Sequence, residues 1–87
     1  MKIENVKQLP PGGNVIATFD AYFEELQLTI HKIKLIRTKK GALIISTPSY
    51  SVEQEFEKKW HPYFEFSEQK QKEFYAESYK QLKNFGI

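Results

Sequence analysis

Apolar residues recur at alternate positions through the first half of the chain and change to a helical spacing only near its end. In the segment VIATFDAYF, Val15, Ala17, Phe19, Ala21 and Phe23 share one parity, while Thr18, Asp20 and Tyr22 take the other. A period of two predicts a strand with one dry face. The preceding MKIENVKQL alternates loosely, with Ile3, Val6 and Leu9 apolar, and predicts a first strand stopped by the breaker Pro10–Gly13. After a turn at Glu24 and Glu25, LQLTIHKIKLI continues the alternation with a slip. Leu26, Leu28 and Ile30 lie on one parity, whereas Ile33 and Leu35 lie on the other. A bulge near His31 and Lys32 returns the later pair to the core side. RTKKG predicts a hairpin turn with Gly41 free to take positive φ, and ALIIST predicts a short fourth strand ended by Pro48 and Ser49.

From Ser67 the period becomes three-and-four. Phe74, Tyr75, Tyr79, Leu82 and Phe85 form one apolar face, Ser67 suits the N-cap, and Glu68 suits the positive end of the helix dipole. Glu68 and Lys72 make an i,i+4 pair on the wet side, and Gly86 suits the position just past the helix end. The expected fold is α+β in two layers: a small antiparallel sheet of about four strands with a C-terminal helix packed on it. Residues 1–87 form one domain, with strands within 2–47, a connecting loop over 48–66 and a helix over about 67–85. The sheet edges left open by this plan point to a dimer joined edge to edge.

Composition narrows the chemistry. A chain of 87 residues without cysteine has neither a disulfide framework nor a thiolate metal site. Domains of this size bury only about 60–65% of their unfolded surface, so thirteen aromatic residues are expected to carry much of the core. On this ground Trp60 is expected inside. No run has the length of a membrane span or of a signal-peptide core, and the chain is expected to be soluble and cytoplasmic, with no membrane partner.

Net charge is only +2, but its distribution is uneven. No acid occurs between Glu25 and Glu53, whereas Lys32, Lys34, Arg37, Lys39 and Lys40 all fall there. Such a row can contact phosphates without sequence preference, or it can guard β edges against aggregation. With a single Arg in the chain, it forms a diffuse field rather than a reader of bases. His31 is expected to orient a turn or interface, and His61, between Trp60 and Pro62, to hydrogen-bond backbone at a bend. Glu53, Glu55 and Glu57 project to one side of an extended segment, where a solvated face is the expectation over a hard-cation site. Nothing resembles a nucleophile elbow, a triad or a phosphate-binding glycine loop, so no enzymatic activity, cofactor or small-molecule substrate is expected.

Taken in order, these features resemble the stage V sporulation protein G (SpoVG, septation protein) family. The likeness rests on VIATFDAYFEELQLTIHKIKLI, on Gly41 with the apolar strand that closes in Pro48–Ser49, and on His61–Pro62. It is completed by a helix carrying Lys70, Tyr79 and Leu82 at the family's spacing, and it spans roughly Val6 to Phe85. The resemblance implies a dimeric bacterial regulator linked to septation or sporulation-type control that binds DNA and RNA and is not an enzyme. It also implies contacts from a basic pair after the Pro-Ser corner and from basic residues opening the helix. Of these, Lys70 is present, but Tyr50 and Ser51 stand at the basic pair and Glu68 at a basic helix position. The expected nucleic-acid contacts are therefore Lys32, Lys34, Arg37, Lys39 and Lys40, with Lys58, Lys59, Lys70 and a stacking Tyr50. The alternative is a protein-interaction module using Tyr50, Trp60, Tyr63 and Phe64, with nucleic-acid binding weakened or lost.

Overall fold

In the computed structural model, which describes Met1–Ile87, the alternating segments form four antiparallel strands in a simple meander. They are β1 (Lys2–Gln8), β2 (Val15–Phe23), β3 (Leu28–Arg37) and β4 (Leu43–Ser46). One face of this sheet carries the helix α1 (Glu68–Lys83). The α+β expectation holds. Between sheet and helix lie Ile3, Ala17, Phe19, Ala21, Ile30, Ile33, Leu35 and Ile45, closed over by Phe74 and Leu82. The alternation of β2 puts its buried residues on this face and leaves Thr18, Asp20 and Tyr22 on the outer one.

Three bulges adjust the strands. On β3, His31 and Lys32 together oppose Asp20, so Ile30 pairs with Ala21 and Ile33 with Phe19, and both isoleucines face inward. The slip in the apolar pattern therefore has the predicted cause. A second bulge on β1 sets Asn5 and Val6 against Phe19, and returns Val6 to the core side. The third, at Ile16 on β2, lies between the pairs Val15–Ile36 and Ala17–Leu35.

Two expectations about the strands need correction. β3 begins at Leu28, because Glu24–Gln27 form a turn in which Gln27 takes φ 49° and donates its N–H to the Glu24 carbonyl at 3.2 Å. Leu26 is thus an exposed turn residue, outside the strand alternation. The expected connecting loop over 48–66 contains a second hairpin, β5 (Ser49–Gln54) with β6 (Glu57–Pro62). Its two-residue turn is Glu55–Phe56, with Glu55 at φ 53°. No backbone hydrogen bond joins this hairpin to the main sheet, and only Val52 within it is even half-buried. It forms an arm on a molecule 42 Å long and 21 Å thick.

The helix starts as predicted: Ser67 Oγ accepts a hydrogen bond from the Lys70 N–H at 3.3 Å. Its dry line is Phe74, Ser78 and Leu82, with Tyr75 and Tyr79 half-buried beside it. Phe85, expected on the apolar face, is exposed, because it lies past the last regular turn. Around Gly86 (φ 79°) the Ile87 N–H reaches the Leu82 carbonyl at 3.4 Å and the Gly86 N–H reaches that of Lys83 at 3.1 Å. This pair of hydrogen bonds satisfies orphan carbonyls and needs a left-handed residue, which glycine supplies without steric cost. Two side chains fix the helix to the sheet. The Gln81 amide accepts from the Ile3 N–H at 2.7 Å and donates to the Met1 carbonyl at 2.8 Å. The Tyr79 hydroxyl donates to the Leu43 carbonyl at 3.0 Å, and burial pushes its pKa up, which keeps the donor protonated. The helix is not long and apolar enough to cross a membrane.

Candidate nucleic-acid interface

The outer face of the sheet is organised around one carboxylate. Asp20 sits at the centre of β2, opposite the bulge on β3 and next to the bulge on β1. Its Oδ2 accepts from the Asn5 amide at 2.8 Å and lies 3.0 Å from His31 Nδ1, while Oδ1 accepts from the Lys32 N–H at 3.2 Å. Asn5 and Lys32 both occupy the left-handed region, at φ 52° and 58°. Asparagine tolerates that conformation, but for lysine it carries a cost of order 1–2 kcal/mol. The carboxylate thus ties a bulge on each neighbouring strand to the middle one. The Asn5 amide is the largest influence holding the Asp20 carboxyl below its usual range. Partial burial opposes it, and the His31 ring and Lys32 amide add to it. His31 is therefore a positioning residue, as its place at the slip suggested.

The bulges decide where the cations go. Lys32 and Lys34, together with Lys7 from β1, border a shallow cleft of about 330 Å³ whose floor includes Thr18 and Asp20. Arg37 ends β3, and Lys39 and Lys40 occupy the turn beyond it, where Gly41 takes φ 84°. None of these cations has a carboxylate within 4.0 Å; the only ion pairs are His31–Asp20, Lys70–Glu73 and Lys72–Glu68. The row on β3 and its turn therefore forms no ion pair, although the Asp20 carboxylate lines the same cleft as Lys32 and Lys34. Lys7 was not among the expected contacts. The signal for it lay in the Ile3-to-Val6 spacing, which marks the bulge that places it beside Thr18.

Comparison with protein-family models, with curated proteins and with solved structures finds no match.

The other expected contacts lie elsewhere. Lys70 is on the helix, bonded to Glu73 at 3.3 Å, and does not join the β3 strip. Lys58 and Lys59 belong to β6 on the arm, with Lys58 Nζ 5.1 Å from the centre of the Trp60 ring. Trp60, expected in the core, is 63% exposed, because the segment that carries it is a two-stranded ribbon wet on both sides. His61 makes no backbone bond at a bend; it lies opposite Tyr50, with ring centres 5.6 Å apart. The Tyr63 ring centre also lies 5.1 Å from that of Tyr50, the rings tilted by 49°. Glu53, Glu55 and Glu57 do not share one side of a strand: they occupy β5, the turn and β6, since the chain reverses between them. No group of three or more His, Asp and Glu side chains is placed to hold a metal ion.

Two chemistries are therefore present. The sheet offers point charges suited to phosphate oxygens, which fix register and orientation but carry no sequence information. The arm offers exposed π faces, with its carboxylates displaced toward the tip.

Proposed function

We propose that this chain is a non-enzymatic, SpoVG-like nucleic-acid-binding regulator that contacts the phosphate backbone of DNA or RNA through the strip along β3. The observation that carries this reading is that Lys32, Lys34, Arg37, Lys39 and Lys40 share one strand and its turn without a carboxylate partner. Only Lys70 and Lys72 of the thirteen basic residues are ion-paired, so it is the clustering of the row, with no acid between Glu25 and Glu53, that sets it apart. A row held open by a double bulge and left unpaired favours an external polyanion. Lys7 adds to the strip, and Lys70 drops out of it.

A homodimer fits the same reading. The free edge of β1 carries Lys2, Glu4 and Lys7 and is interrupted by a bulge, which guards it against pairing. The free edge of β4 reads Leu43–Ser46, with no charge and no proline, and Leu43 and Ile44 are exposed. A second copy pairing there extends the sheet in its plane and leaves the outer face open. Control of septation or sporulation-type processes remains the biological setting that the resemblance suggests.

The test is anisotropy of labelled DNA and RNA oligomers titrated with protein at several salt concentrations. We expect binding that weakens steeply with salt, and a slope that falls by about 1–2 when Lys32 and Lys34 are changed to Glu, since each lost phosphate contact removes about 0.7–0.9. No binding at about 50 mM salt overturns the proposal.

A further inference from the structure

The arm and the helix border a groove on the helix side of the main sheet, the side opposite Lys32 and Lys34. Cross-strand pairing puts Ser49 and Ser51 of β5 on one arm face with Pro62 and Trp60 of β6, and Tyr50 with His61 on the other. Trp60 and Pro62 line a cleft of about 240 Å³ whose lining also includes Tyr75 of α1 and Ile45 of β4, which belong to the helix side. Thr47, Pro62 and Tyr75 line a second cleft as well, of about 340 Å³, with Phe64, Glu65, Phe66 and Gln71. The two clefts therefore share a wall and form one groove.

The aromatic wall is held by the core. The Phe66 ring centre lies 5.1 Å from that of Phe74 and 5.9 Å from that of Phe23, and Phe64 meets Phe66 edge-on at 5.5 Å. Two donors are available beside it. The indole N–H of Trp60 can only donate, and the Tyr75 hydroxyl accepts from the Gln71 amide at 2.8 Å, which leaves its own proton to give. With His61 neutral, Glu65 is the only charged side chain lining either cleft, so the groove disfavours phosphate and suits a cation at that end. Lys58 lies over the Trp60 ring, so the Trp60 end carries the opposite charge.

We infer that this groove docks an extended, proline-rich segment of a partner protein, with a basic residue at the Glu65 end. A polyproline II segment has no internal hydrogen bonds, and its prolines offer carbonyls without N–H groups, so its receptor must supply donors. Trp60 and Tyr75 are those donors. Prolines on one face of such a segment recur about every 9 Å, which suits two adjoining compartments. Aromatic-lined grooves take this ligand because it is already stiff and loses little entropy on docking. An amphipathic helix would need an aliphatic trough, and Ile45 is the only aliphatic side chain in either lining. The groove and the cation row lie on opposite sides of the sheet, so this site is independent of the nucleic-acid reading.

The probe is a blocked, dye-labelled peptide of about nine residues, a Pro-Pro-Ala repeat headed by Arg. Its anisotropy should rise as the full chain is added. With unlabelled peptide, the emission of Trp60, the single tryptophan, should shift to the blue as the ring leaves water. Trp60→Ala should weaken binding at least about tenfold, as truncation of an aromatic anchor does. Because the ring is exposed, the melting midpoint of that variant should stay within about 4 °C of the wild type. Glu65→Lys should reverse the preference between Arg-headed and Glu-headed repeats, an effect that a structural role would not produce. No binding at about 1 mM peptide overturns the inference. So does equal affinity for an Arg-headed Gly-Ser peptide, or undiminished affinity in Trp60→Ala. A blue shift on raising protein concentration alone gives the groove to a second copy, and an equal shift with a single-stranded oligonucleotide gives it to nucleic acid. Either result overturns the peptide assignment.

Discussion

Replacing Asp20 by Ala should be among the most damaging single changes outside the hydrophobic core. The substitution removes the acceptor of the Asn5 amide, the His31 ring and the Lys32 N–H at once. Hydrogen bonds to charged groups contribute a net ~1.5–3 kcal/mol each, but Asn5 and His31 are exposed and belong at or below the low end. The backbone donor of Lys32 holds a residue in a conformation that is unfavourable for lysine, so its loss frees the bulge to rearrange. Together these give about 3 kcal/mol. A domain of this size has about a third to a half of its stability in such a figure, and the melting midpoint should fall by about 12–24 °C. The assay is urea unfolding followed by circular dichroism, in which the midpoint should move while the slope stays constant. Asp20→Asn retains one acceptor and should lose less. The folded carboxyl lies below the 3.8 usual for aspartate, so its stabilisation is complete above that pH and lost as pH falls through the folded value. Wild-type stability should therefore drop more steeply than that of Asp20→Asn on acidification from about pH 5 to pH 2. A loss below about 0.5 kcal/mol in Asp20→Ala, or parallel pH profiles, would refute the staple.

Ser78 makes the opposite prediction. Its hydroxyl is fully buried against the core with no hydrogen-bond partner, so Ser78→Ala should raise stability by about 1 kcal/mol, or 4–8 °C in midpoint, measured by the same unfolding series. For the proposed dimer, sedimentation at micromolar concentration should give twice the monomer mass, and Ile44→Lys should shift it toward monomer by charging the open edge of β4. A wild-type monomer across that range ends the edge-pairing proposal.

The meander and helix were legible because their signals are local and strong: period two in β2, a parity slip in β3, a serine cap before a three-and-four repeat. The same slip was present in β1, where Ile3 and Val6 are three apart just as Ile30 and Ile33 are, yet only the second was legible as a bulge. In β1 the apolar residues are too sparse to establish the parity that the slip breaks. The arm was hidden for a different reason. A two-residue hairpin turn is recognised by glycine or asparagine, and this one is Glu55–Phe56, with glutamate carrying the positive φ. Without the turn, the three glutamates looked like one array and Trp60 looked like core. The sequence pattern also could not show that Asp20 meets both bulges, since Asn5 and His31 become neighbours only across a third strand. That meeting is what positions the site. One aspartate, on the polar parity of the clearest strand in the chain, sets the register on both sides of itself, and the unpaired lysines follow from that register rather than from their own spacing.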